Sequence, residues 1–150
     1  MSLKQRLEDD LKSSLLAGNH QLTDTLRGLK AAILNEEVSK GARQDGLEDA
    51  AIEQLIAREV KKRQESASIY ESAGRPELSK NELDEAKILQ TYLPDQLSEE
   101  EISKVVDRAI EELNATEPRA MGQVIGAVKQ ELGNKADGAT IAKLVKNALN

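Results

Sequence analysis

The sequence predicts an all-α protein: an N-terminal helical domain containing a long helical hairpin, followed by a compact three-helix tail. Three observations carry that reading. Apolar residues recur at three- and four-residue steps almost throughout the chain. Aromatic side chains number two, both tyrosine, so the core must be built from Leu, Ile, Val and Ala. Strands favour β-branched and aromatic residues, whereas this mixture favours helices. Glycine and proline mostly fall between the periodic runs, where they punctuate them.

The first helix spans about residues 2 to 17, with Leu3, Leu7, Leu11 and Leu15 at four-residue steps and Gly18-Asn19 as its stop. A second, about 22 to 39, aligns Leu22, Leu26, Leu29 and Ile33. Gly41 to Gly46 make a loop. A long third helix, about 48 to 73, uses Ile52, Leu55, Ile56, Val60, Ala67 and Tyr70 before Gly74 and Pro76 end it. The fourth, about 78 to 92, contributes Leu83, Ala86 and Leu89.

The stretch LPDQLSEEE reads as the boundary between two domains, residues 1–95 and 96–150. Pro94 biases Leu93 away from helix, and Ser98 with Glu101 forms a capping box for the fifth helix. That helix carries Ile102, Val105, Val106, Ala109, Ile110 and Leu113 on one face. Pro118 opens a sixth helix, about 118 to 132, with Met121, Val124, Ile125, Val128 and Leu132 facing inward. Gly133 stops it, and Asp137 caps a seventh built on Ile141, Leu144, Val145 and Ala148.

The net charge of −6 is unevenly distributed. Residues 81–118 carry three basic and eleven acidic side chains, while residues 119–150 carry five basic and two acidic. A segregated positive tail is compatible with a nucleic-acid partner despite the acidic total. The scarcity of aromatics argues against single-strand binding by base stacking. No run approaches the ~18 apolar residues of a membrane span. The start MSLKQRLEDDLK lacks the apolar core of a secretory signal, and cysteine is absent, which together lead to the expectation of a cytoplasmic location.

No catalytic constellation emerges. His20 lies between two helices without a partner, and the carboxylate pairs Glu36-Glu37, Glu48-Asp49 and Glu99-Glu100 read as solvated charges. No metal site or cofactor is expected, since a metal needs several donors converging from different elements. The glycines match neither GxGxxG nor the phosphate-binding loop. REVKKR, residues 58–63, reads chiefly as an exposed helix face laced by pairs such as Glu59 with Arg63 and Lys61 with Glu65; a phosphate-contacting ridge is the rival reading.

The segment MGQVIGAVKQELGNKADG raises a sharper question. Gly122 and Gly126 sit inside a helical repeat, where each glycine weakens the helix by roughly 1 kcal/mol relative to alanine. Either a neighbouring helix of the tail packs against the bare side, or a partner's backbone, such as RNA sugar-phosphate, lies over it. Lys129, Lys135, Lys143 and Lys146 surround the same part of the chain.

The stretch MGQVIGAVKQELGNKADGATIAKLVKNAL resembles the tail of the GatB/YqeY family. Upstream, TLRGLKAAILNEEV, REVKKRQESASIYESAGRPEL and LQTYLPDQLSEEEI are similar to the remainder of its stand-alone members. In that family the same helical region ends the B subunit of the tRNA-dependent amidotransferase, whose tail touches the tRNA body and whose catalytic parts lie elsewhere. The resemblance therefore implies a non-catalytic accessory that binds tRNA or another folded RNA, beside amidotransferase or an aminoacyl-tRNA synthetase. Carried over by position, the binding residues are Gly122, Gly126, Lys135 and Gly138, with Lys129, Lys143 and Lys146 as local charge and Asp137 as a helix cap. A protein-interaction adaptor docking through the acidic fifth helix is the alternative.

Overall fold

The computed structural model describes residues 1–150, and its regular structure is seven α-helices with no strand. They are α1 (Leu3–Ala17), α2 (His20–Ser39), α3 (Asp49–Ser72), α4 (Pro76–Gln90), α5 (Glu99–Glu112), α6 (Met121–Leu132) and α7 (Gly138–Leu149). The chain divides into two compact units, Met1–Leu93 and Pro94–Asn150.

In the first unit, α1 and α2 form a tight antiparallel pair. Gly18, at φ 69°, closes α1, and the Asn19 side chain accepts the Leu22 amide to start α2. That cap explains why α2 begins at His20, two residues before the apolar stripe announces it. A buried hydrogen bond of 2.8 Å between the Ser14 and Thr23 hydroxyls joins the two helices. The long hairpin is α3 against α4, and its seam runs through the small residues Ala67, Ser79 and Ala86, all buried. Small side chains let two helix backbones approach closely, so this seam is tight without aromatics.

Leu26, Leu29, Ile33, Ile52, Ile56 and Leu89 form the centre of the first core, each at most 3% exposed. Four inward assignments differ from the sequence reading, one of them Ala148, which is exposed near the end of α7. Leu15 is 50% exposed, Leu83 43% and Met121 36%. Four-residue steps advance 400° around a helix, a drift of about 40° each, so Leu15 lies about 120° away from Leu3. Leu83 sits at the edge of the α3–α4 seam, and Met121 is the first residue of its helix.

The second unit packs α5, α6 and α7 around Ile102, Val106, Val124, Val128, Ile141 and Val145, each no more than 2% exposed. Ser98 caps α5 by accepting the Glu101 amide at 3.1 Å, and Glu99, Glu100 and Glu101 complement the positive end of the helix dipole. Pro118 does not open α6 itself. It opens a single 3₁₀ turn, Pro118–Ala120, that leads into it. A second 3₁₀ turn, Gly133–Lys135, connects α6 to α7. Gly133 there has φ 55° and ψ −131°, a conformation that a side chain would strain.

Candidate nucleic-acid interface

In the second unit, α6 is the element whose sequence conflicts most with its own conformation. It carries two glycines, and the residue before it, Ala120, supplies no capping side chain. Burial of Val124, Val128 and Leu132 holds it in place. At about 100° per residue, Gly122, Gly126 and Lys129 fall within about 60° of one another, on a side distinct from that buried stripe. A Cβ at Gly122 or Gly126 would meet no atom within 4 Å. No neighbouring helix of the tail therefore occupies the bare side, and the packing explanation for the glycines is removed.

Lys129 extends this strip onto the next helix. A Cβ at Gly138 would lie 3.3 Å from Lys129 Cε and 3.4 Å from its Nζ, so the lysine crosses the start of α7. Asp137 occupies the N-cap position, but its side chain takes no backbone amide. Its Oδ2 instead accepts the Thr140 hydroxyl at 3.3 Å. The first amides of α7 and the Lys129 ammonium thus form a positive neighbourhood.

The remaining lysines are placed differently. Lys135 is exposed on the turn between α6 and α7, and that turn is anchored. Its carbonyl accepts the Leu97 amide at 2.9 Å, and the Asn134 carbonyl accepts Gln96 Nε2 at 2.8 Å. Lys143 is drawn toward α5, where its Nζ donates to Glu99 Oε1 at 2.9 Å. Lys146 lies one turn further along α7 and is exposed. The structure therefore joins Gly122, Gly126, Lys129 and Gly138 into one strip, with Lys143 turned to the α5 side. Arg108 adds an ion pair from α5 to Glu131 of α6.

The rival basic cluster in the first unit is largely neutralised. Arg58 pairs with Glu36 at 3.5 Å, Lys62 with Glu59 at 3.9 Å, and Arg63 with both Glu59 (2.8 Å) and Glu85 (3.2 Å). Lys61 and Glu65 line the adjoining groove without pairing. An apolar recess of about 210 Å³ lies between α1 and α2, lined by Leu7, Leu11, Leu26, Ile33 and Leu34 among others. No group of three or more His, Cys, Asp or Glu side chains converges as a metal site would require.

One carboxylate departs from the sequence expectation. Glu37, read as a solvated charge, is 2% exposed. Its Oε2 accepts Lys4 Nζ at 2.8 Å and the Leu47 amide at 3.0 Å, tying α1 to the loop after α2. Gly46 beside it has φ 79°, and a Cβ there would press to 3.3 Å from the same oxygen. The available signal was positional, because Glu37 continues the Leu26, Leu29, Ile33 stripe by one more four-residue step.

Comparison with known proteins supplies the family. A family model described as a Yqey-like protein matches residues 4–149. The chain belongs to that family. Among its relatives is "Altered inheritance of mitochondria protein 41, mitochondrial" of Pyrenophora tritici-repentis, 29% identical over 147 residues, spanning 96% of this chain and 79% of the relative. The protein of the same name from Clavispora lusitaniae is 24% identical over 136 residues, covering 89% and 78% of the two chains. That from Eremothecium gossypii is 30% identical over 125 residues, covering 79% and 67%.

The relatives of this YqeY-like chain are named as mitochondrial, which overturns the cytoplasmic expectation. That expectation rested on features that do not encode an address. Leu3 and Leu7 are core residues of α1, so the opening segment reports on folding, and a cysteine-free chain suits any compartment. No helix is long and apolar enough to cross a membrane. Neither the family description nor the relatives' names state a substrate.

Proposed function

We propose that the second unit of this YqeY-like protein is a non-catalytic docking surface for a folded RNA, with tRNA as the partner to test first. The observation that carries this reading is the bare side of α6. Two glycines weaken the helix, nothing in the tail fills the space they leave, and Lys129 lies on the same side. A surface without side chains admits a bulky backbone, and ammonium groups beside uncapped helix amides favour phosphate. With two tyrosines in the chain, both in the first unit, recognition proceeds by shape, phosphates and 2′-hydroxyls rather than by base stacking. Action beside a tRNA amidotransferase or an aminoacyl-tRNA synthetase is the corresponding biological setting.

Binding of labelled tRNA, measured between about 50 and 200 mM salt, tests the proposal. Contact with phosphates predicts that log K falls linearly with log salt, with a slope near −0.7 to −0.9 per phosphate neutralised. Replacing both Lys129 and Lys143 by Glu should weaken binding further and flatten that slope. Unchanged binding in the double variant would remove the tail from the account.

One observation favours a second reading, a protein-interaction adaptor. Glu100, Glu101, Asp107 and Glu111 are exposed on α5 and form no ion pair. Capture of one stoichiometric protein partner through α5, with no RNA bound, would favour the adaptor.

A further inference from the structure

Of the four lysines placed around the α6–α7 surface, only Lys143 is already held by a carboxylate. Its Nζ lies 2.9 Å from Glu99 Oε1, and the two side chains are 56% and 61% exposed. Glu99 is the first residue of α5, directly after the Ser98 cap, and the pair spans from α5 to α7. A phosphate reaching Lys143 must displace this carboxylate. Lys129, Lys135 and Lys146 present no such competition.

We infer that Glu99 is a built-in competitor for the RNA backbone, setting the threshold of anion density at which Lys143 becomes available. This rests on the RNA-binding reading above. A single phosphate offers Lys143 little more than Glu99 does, because an exposed ion pair is weak in either case. A folded RNA held on the neighbouring strip presents several phosphates at once, so exchange of Glu99 for phosphate becomes an intramolecular step with a high effective concentration. The tail thereby discriminates against sparsely charged anions without any contact to a base. The other acids of the same turn, Glu100 and Glu101, are spent on the helix dipole and leave Lys143 alone.

Binding of tRNA to the full chain, with the salt slope, tests this directly. Glu99→Gln should bind about two- to fivefold tighter, the range of one exposed ion pair, with a slope steeper by about one phosphate. Glu99→Asp keeps the net charge and the favourable dipole but shortens the side chain by one methylene, so it should tighten binding as well, and it covers the case in which the Gln variant folds poorly. Glu100→Gln, the neighbouring charge without a lysine partner, should change affinity little. In a Lys143→Gln background the gain from Glu99→Gln should vanish. Equal gains for Glu99→Gln and Glu100→Gln, or a gain that survives loss of Lys143, would reduce Glu99 to bulk charge and overturn the inference while leaving RNA binding intact. Absence of tRNA binding by the unaltered chain at every salt would instead sink the underlying reading, and this inference with it.

Discussion

Glu37 shows how one side chain fixes a loop that spacing alone leaves open. Hydrogen bonds, first from Lys4 and then from the Leu47 amide, hold its carboxyl below the ordinary glutamate value of 4.5, and outweigh the opposing effect of burial. A carboxyl lowered in the folded state stabilises the fold above its unfolded value and loses that contribution as pH falls through the lowered one. Stability should therefore decline on acidification below about pH 4.5. Glu37→Ala should cost about 1–3 kcal/mol at neutral pH, because the Leu47 amide is left unsatisfied. Urea unfolding across pH would read both effects, and an acid limb as steep in the variant as in the parent would show that Glu37 is not its source. The buried side of Glu37 could be read from its place on the stripe, but its ion-pair partner could not. Its partner, Lys4, lies on another helix, and helical periodicity reports only which side a residue occupies.

At the scale of elements, the helices were legible where periodicity and caps agree. Ser98 with Glu101, Gly18 and Gly133 all act at the ends they suggest. Boundaries set by tertiary geometry were less so. The turn at Pro118 is 3₁₀, yet proline is equally suited to the first turn of an α-helix, so nothing local distinguishes that turn from the first turn of α6. Leu15 faces water because four-residue spacing outruns the 3.6-residue turn. The α6 glycines make the most decisive case, since spacing could not choose between a helix and an outside partner as the cause. The open space at both positions predicts that Gly122→Ala and Gly126→Ala stabilise the protein, by about 0.5 and about 1 kcal/mol. Denaturant midpoints check this, and destabilisation by either substitution would mean that a neighbour does fill the space.

For the whole molecule, charge is segregated by segment inside the second unit, between an acidic α5 and a basic stretch that follows it, rather than between the two units. A chain of net charge −6 carries its positive excess in residues 119–150, where the bare helix also lies. The first unit consumes its densest basic cluster in internal ion pairs, with Arg63 between Glu59 and Glu85. Salt-sensitive RNA binding should therefore track the lysines of α6 and α7 and be indifferent to Arg58 and Lys62. Replacing that second pair by Gln, and finding an unchanged salt slope, checks the assignment. Family membership across residues 4–149 was legible from the GNKADG turn and the paired glycines. Location was not, because residues that build a core carry no address.

The measurement closest to the central claim compares folding stability with tRNA affinity in the Gly122→Ala, Gly126→Ala double variant. A bare helix kept for an outside backbone predicts opposite signs: a higher unfolding free energy, by roughly 1–1.5 kcal/mol, and weaker RNA binding. A variant that is more stable and binds tRNA as tightly as the parent would contradict the account.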